Sequence, residues 1–159
     1  MDHPFETLKR YSFTTSNIPV GSWRSYSNGG DLNFDAPYQR GLVWSLEQKV
    51  RLIDSLWTGL GIPAVYVREH EITSDNAWME IVDGKQRVSA ILEYFNDGFP
   101  YRGYRFSELP LAVQRRFASI GVGIVRVHDV TDAEVEEIYD RINFCGVPHK
   151  PEDRRKETT

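Results

Sequence analysis

The sequence predicts a small α+β domain, and three observations predict it. A length of 159 residues suits one ordinary domain with enough chain to bury a real core. Apolar residues recur at helical spacing in several separated stretches, and runs rich in β-branched residues lie between them. Their order is helix, two strands, helix, short helix, strand, helix, which is an α+β arrangement.

Residues 1–31 read as an N-terminal segment and loop, because the Asn-Gly-Gly sequence within Ser25–Asp31 tolerates positive φ where most residues do not. Residues 32–44 are apolar and aromatic but interrupted by Pro37 and Gly41, which predicts a short extended piece and then a turn. A helix follows from Ser45 to Thr58. Ser45 with Gln48 makes a capping box, Gly59 is placed to end the helix, and Leu46, Val50, Ile53 and Trp57, widened by Leu52 and Leu56, form one buried face. "GIPAVYVRE" and "WMEIV" read as the two strands of a hairpin around "ITSDNA". From Gln86 to Phe95, the spacing of Val88, Ile91, Leu92 and Phe95 predicts a second helix, closed by "NDG". A strand, a tight turn and a helix therefore follow one another. "LAVQRRFAS" is a short helix and "VGIVRVHDV" a third strand. Thr131 with Glu134 caps a last helix that buries Val135, Ile138, Tyr139 and Ile142. Past Cys145 two prolines and many charges mark a frayed tail, with 154–159 as its charged end.

With 19 Lys and Arg against 23 Asp and Glu, the formal net charge is -4, so general attraction to nucleic acid over the whole surface is not expected and any anion site must be local. The single cysteine, Cys145, excludes an intramolecular disulfide framework and a cysteine-based zinc site, fits a reducing cytosol, and reads as a packing residue. No run approaches the ~20 apolar residues of a membrane span. Nor does the N-terminus carry a basic region followed by an apolar one, so the expected location is the cytoplasm, with no membrane partner. His3, His70, His128 and His149 are scattered without metal-ligand spacing, and no protein-built metal site is expected. His128-Asp129 reads as a polar strand end.

Three motifs carry candidate chemistry. In Asp83-Gly84-Lys85-Gln86-Arg87, a helix starting near Lys85 would present unpartnered backbone N–H groups, reinforced by its dipole, to an anion. Gly84 allows close approach, and Lys85 and Arg87 add charge, the arginine in a bidentate fork. The same five residues also read as ordinary helix entry, with Asp83 and Gln86 as a capping pair. In "PYQRGLVW", Arg40 stands in an aromatic-flanked loop that suits phosphate or a base, or equally an ion pair beside core packing. In "YDRINFCGVP", Arg141 and Asn143 near a helix end could face one ligand or cap the last carbonyls. A separate aromatic–basic cluster, Tyr101, Arg102, Tyr104 and Arg105, suits phosphate contact and base stacking.

These motifs occur in one order. "PYQRGLVWS", "LIDSLWTGLGIPAVYV", "VDGKQRVSAILEYF" and "IYDRINFCGVP" together resemble a prokaryotic and phage family of domains with a DGQQR signature. That family lies in the ParB/sulfiredoxin-like superfamily and includes the GmrS-type part of the GmrSD modification-dependent restriction enzymes and the NTPase part of SspE-like anti-phage proteins. The resemblance spans residues 32–153. It implies a ParB-like mixed sheet flanked by helices, whose DGQQR turn binds a nucleoside triphosphate with Mg²⁺ and couples hydrolysis to a DNA-cutting partner.

Carried over residue by residue, the resemblance makes Asp83 and Gln86 the catalytic positions and gives phosphate binding to Gly84, Lys85 and Arg87. Gln39 and Arg40 match the upstream QR element, and Arg141 with Asn143 the downstream R-x-N element. Lys85 replaces the usual first glutamine, keeping a cation beside the phosphates but removing an amide. The HNH-type nuclease pattern that follows in many relatives does not occur here, so an autonomous restriction enzyme is not expected. The turn also lacks the cysteine of the superfamily's redox branch. The implied function is nucleotide binding, with hydrolysis, in or against DNA restriction, with DNA or a separate nuclease or effector protein as partner. The alternatives are a non-catalytic ParB-like DNA-binding or protein-interaction module and, more weakly, a ParB-like nuclease.

Overall fold

Val65, Val67, Met79, Ile81, Val122 and Ile124 alternate along three strands so that all face one way, and burying that row organises the chain. The computed structural model describes residues 3–36, 43–73 and 75–146, the stretch 144–146 by backbone alone. In chain order its elements are β1 (Ser12–Pro19), α1 (Gly21–Asn28), β2 (Leu32–Asn33), α2 (Leu46–Thr58), β3 (Val65–Glu69), β4 (Met79–Asp83), α3 (Lys85–Phe95), a 3-10 turn (Phe106–Glu108), α4 (Leu111–Ala118), β5 (Gly121–His128) and α5 (Asp132–Gly146). The strands form one mixed sheet in the order β1-β5-β3-β4-β2, with β1·β5 and β3·β4 antiparallel and β3·β5 and β2·β4 parallel. The fold is α+β, as the element order predicts.

The helices divide between the two faces. Trp23 of α1, Leu52, Ile53 and Leu56 of α2, Val88, Ile91 and Tyr94 of α3 and Phe117 of α4 cover the row of strand residues named above. Behind the sheet, Val82 and Val127 meet Val135 and Ile138 of α5 in a smaller cluster. The C-terminal half of α3 is fixed by rings: Tyr94 lies 5.6 Å from Phe106 and 5.1 Å from Phe117, and Phe95 lies 4.9 Å from Phe106. Edge-to-face pairs of this kind add about 0.5–1.5 kcal/mol each beyond area burial. With its far end anchored, α3 presents its N-terminus at a fixed place beside the sheet.

Most elements form where the pattern predicts them. Ser45 and Gln48 make the reciprocal capping box of α2, and Gly59 ends that helix at φ 74°. Thr131 and Glu134 make the corresponding pair at α5. Two expectations need correction. The Ser25–Asp31 stretch is loop only from Gly29 onward, because α1 runs to Asn28, held by the buried Trp23. Leu46 is 58% exposed: it stands at the first position of α2, beyond the reach of the core that Leu52, Ile53 and Leu56 fill. Among the described residues no helix is long and apolar enough to cross a membrane.

Candidate functional site

β4 ends at Asp83 and α3 begins at Lys85, leaving Gly84 alone to turn the chain, at φ 106° and ψ 15°. Just before the turn the β3·β4 register shifts between Tyr66 and Val67, so that Tyr66 pairs with Asp83 but Val67 with Ile81. Such a bulge redirects the end of a strand. The turn also packs tightly on β3: a Cβ at Gly84 would stand 3.1 Å from a Val65 methyl and 3.1 Å from the Arg87 guanidinium. Both the backbone angle and the space require glycine.

The capping explanation of this turn fails. The N-cap residue is a glycine with no side chain to cap α3, and among the described residues no side chain accepts from the first N–H groups of the helix, which also lack intrahelical acceptors. Asp83 turns away and accepts from Arg87 Nη2 at 3.0 Å, while Gln86 Oε1 accepts from the backbone N–H of Trp44 at 3.2 Å. Arg87 donates to the Ala64 carbonyl at 2.9 Å as well, is 15% exposed, and keeps its buried Nε without a partner among the described residues. It is the strut that ties the first turn of α3 to the entry of β3. Lys85 is half-buried and forms no hydrogen bond or ion pair among the described residues. Among the described residues, the turn therefore offers unclaimed backbone donors with one free ammonium beside them.

Gln39 and Arg40 lie outside the described residues; the bond from Trp44 to Gln86 brings the chain just after them to the turn. Arg141 is 72% exposed and paired with Glu137 at 2.7 Å, and Asn143 donates to the Tyr139 carbonyl at 2.8 Å. No described bond joins either residue to the turn, although α5 packs on β4, the strand that leads into it. Ala64 and Trp44 escape sequence reasoning, because only their backbone groups contribute and their partners lie 23 and 42 residues away.

The aromatic–basic cluster is built differently. Tyr101 and Tyr104 exchange backbone hydrogen bonds of 2.9 and 3.1 Å across Arg102 and Gly103, whose φ values are 51° and 83°. Positive φ at both central residues is the type I′ hairpin geometry. The Tyr101 hydroxyl donates to Asp54, which raises its pKa above the usual phenol value, and Arg105 donates through its guanidinium to the Asp97 carbonyl. The Arg102 guanidinium lies over the Tyr101 ring at 5.7 Å and beside its hydroxyl, while the Tyr104 side chain is 58% exposed. At the opposite end of the sheet a cleft of about 250 Å³ is lined by Arg68, Glu69, His70, Arg126, His128 and Asp129. Its arginines are paired internally, Arg68 with Glu80 and Asp132 and Arg126 with Glu69.

Sheet topology and turn together define a class: a small α+β domain in which an antiparallel hairpin passes through one glycine into an open-ended helix. The chain belongs to the family of GmrSD restriction endonuclease N-terminal domains, whose model matches residues 24–121, more than half of its length. That membership sets it in the context of DNA restriction and phage defence. The matched region contains both turns and ends before α5, hence before Arg141 and Asn143. No curated protein matches the chain.

Proposed function

We propose that the chain is a nucleoside-triphosphate-binding domain of the ParB-like kind, which hydrolyses its nucleotide and thereby controls a DNA-cutting partner. The observation that carries this reading is the Gly84 turn. A glycine with no room for a side chain leaves the first amides of α3 open, and the free Lys85 stands among them. Backbone donors at a helix N-terminus stabilise phosphate oxygens without having to reorganise, and a neighbouring ammonium adds a point charge. Gln86, whose amide oxygen accepts from the Trp44 N–H, still has its NH₂ free to donate to a phosphate oxygen and ties Trp44 to the turn. Arg87 contributes from behind, by holding the turn.

A magnesium ion fits this donor set only in company with phosphate. The described residues contain no group of three His, Cys, Asp or Glu able to hold a metal, and Asp83 Oδ1, the oxygen not bonded to Arg87, is the carboxylate donor of the turn. Mg²⁺ takes most of its ligands from water and phosphate in such sites, and when bound it would neutralise charge on the phosphates. The DNA-binding alternative has less support, since Tyr101 and Arg105 are committed to holding their own turn.

A thermal-shift screen of ATP, GTP, CTP and UTP with Mg²⁺ tests the proposal, because a ligand of the native state raises the apparent midpoint. At least one triphosphate should raise it for the wild type and raise it less for Lys85→Ala. If none changes the midpoint at millimolar concentration, the reading is wrong.

A further inference from the structure

The two edges of the sheet are protected very differently. β2 ends one side with two residues, a length that offers little to a pairing strand. β1 ends the other side with eight, and six of them in succession, Ser12–Asn17, are exposed. Long edges are normally blunted by charge, yet no charged residue occurs from Tyr11 to Trp23. Two cations precede the strand: Arg10 lies two residues before it, and Lys9 is drawn to Glu134 at 3.1 Å. Exposed apolar side chains accompany this edge: Phe5, Leu8 and Phe13 are 69%, 60% and 44% exposed.

From these observations we infer that β1 pairs with β1 of a second copy of this chain, antiparallel about a two-fold axis, to give a continuous ten-stranded sheet. Charge selects the occupant. With a net charge of -4 two copies repel each other overall, whereas the residues of this edge, Ser12–Pro19, carry no charge to set against one another. Antiparallel pairing of a strand with itself is self-complementary, as a two-fold interface requires. Phe5, Leu8 and Phe13 add apolar area that a bare edge would lack. Thr15, in the middle of the strand, stands opposite or diagonal to its own copy in any central register.

Sedimentation velocity over a protein-concentration series tests this without reference to nucleotide. The wild type should pass from monomer to dimer mass as concentration rises. Thr15→Lys and Thr15→Glu should each remain monomeric, with circular dichroism spectra like the wild type, and an equimolar mixture of the two should recover the dimer. Hydrogen exchange on the wild type supplies a second reading, since alternate amides of Ser12–Ile18 should gain protection with concentration. A wild type that stays monomeric throughout, charged variants that dimerise unchanged, a mixture that stays monomeric, or concentration-independent exchange in β1 would each overturn the inference.

Discussion

The 83–87 and 101–105 turns contain the same kinds of residue, one glycine with two cations, but their backbones do opposite things. In the second, Tyr101 and Tyr104 satisfy each other and Arg105 is spent on a neighbouring carbonyl, so the turn is closed. In the first, Gly84 opens a helix, Asp83 and Gln86 are drawn off to Arg87 and Trp44, and the first helix amides have no partner among the described residues. Clustered cations in a sequence therefore say less about a phosphate site than does the fate of the backbone donors beside them.

The comparison breaks most visibly at the glycines. Gly103→Ala meets nothing within 4 Å at φ 83°, whereas Gly84→Ala meets Val65 at 3.1 Å at φ 106°. Left-handed backbone costs about 1–2 kcal/mol for an alanine, which sets the expectation for Gly103→Ala. Overpacking adds to it at Gly84, for a total of about 2–5 kcal/mol. Urea unfolding measures both, and equal losses would show that Val65 does not hold the turn. The arginines come next. Arg87→Ala strips the Asp83 carboxylate and the Ala64 carbonyl of a donor and should cost about 1–3 kcal/mol, while Arg102→Ala should stay within about 0.5 kcal/mol.

How far the sequence reveals these features depends on the range of the interactions that make them. Capping boxes and apolar stripes are local, so α2, α3, α5 and the β3·β4 hairpin lie close to where pattern places them. β1 and α1 do not announce themselves. Between Ser12 and Pro19 only Phe13 and Ile18 are apolar enough to mark a strand, and α1 is serine-rich with one buried anchor, Trp23. Both are stabilised by partners that are distant in sequence, β5 for the strand and the main core for the helix. At the site, the glycine and the lysine are legible, but the roles of Asp83, Gln86 and Arg87 follow from backbone groups of Ala64 and Trp44 and from the packing of Val65, contacts that the residue types of a motif do not reveal.

Smaller effects sharpen the contrast. Lys85→Gln restores the DGQQR pattern; it should leave the unfolding midpoint unchanged and weaken triphosphate binding about tenfold, roughly 1.4 kcal/mol. Phosphate release per bound nucleotide should rise if an amide at this position takes part in hydrolysis. Acid acts on the other turn. Asp97 accepts from the Ser107 hydroxyl and from the Ser107 N–H, the latter at 2.9 Å, and these bonds hold its carboxyl below the ordinary carboxylate range. A depressed folded-state pKa contributes stability above the unfolded value of about 3.9, and that contribution is lost as pH falls through the lower folded value. Amide exchange at Ser107 should accelerate over that acid window, and Asp97→Asn should remove the pH dependence.

Isothermal titration of Mg²⁺ nucleotide into three proteins compares the turns directly: the wild type, Lys85→Ala, and Arg102→Ala combined with Tyr104→Ala. Phosphate binding at the Gly84 turn predicts saturable heat with at least one triphosphate, about tenfold weaker for Lys85→Ala and unchanged for the double variant. Heat that is lost only in the double variant, or absent with all four nucleotides, would contradict it.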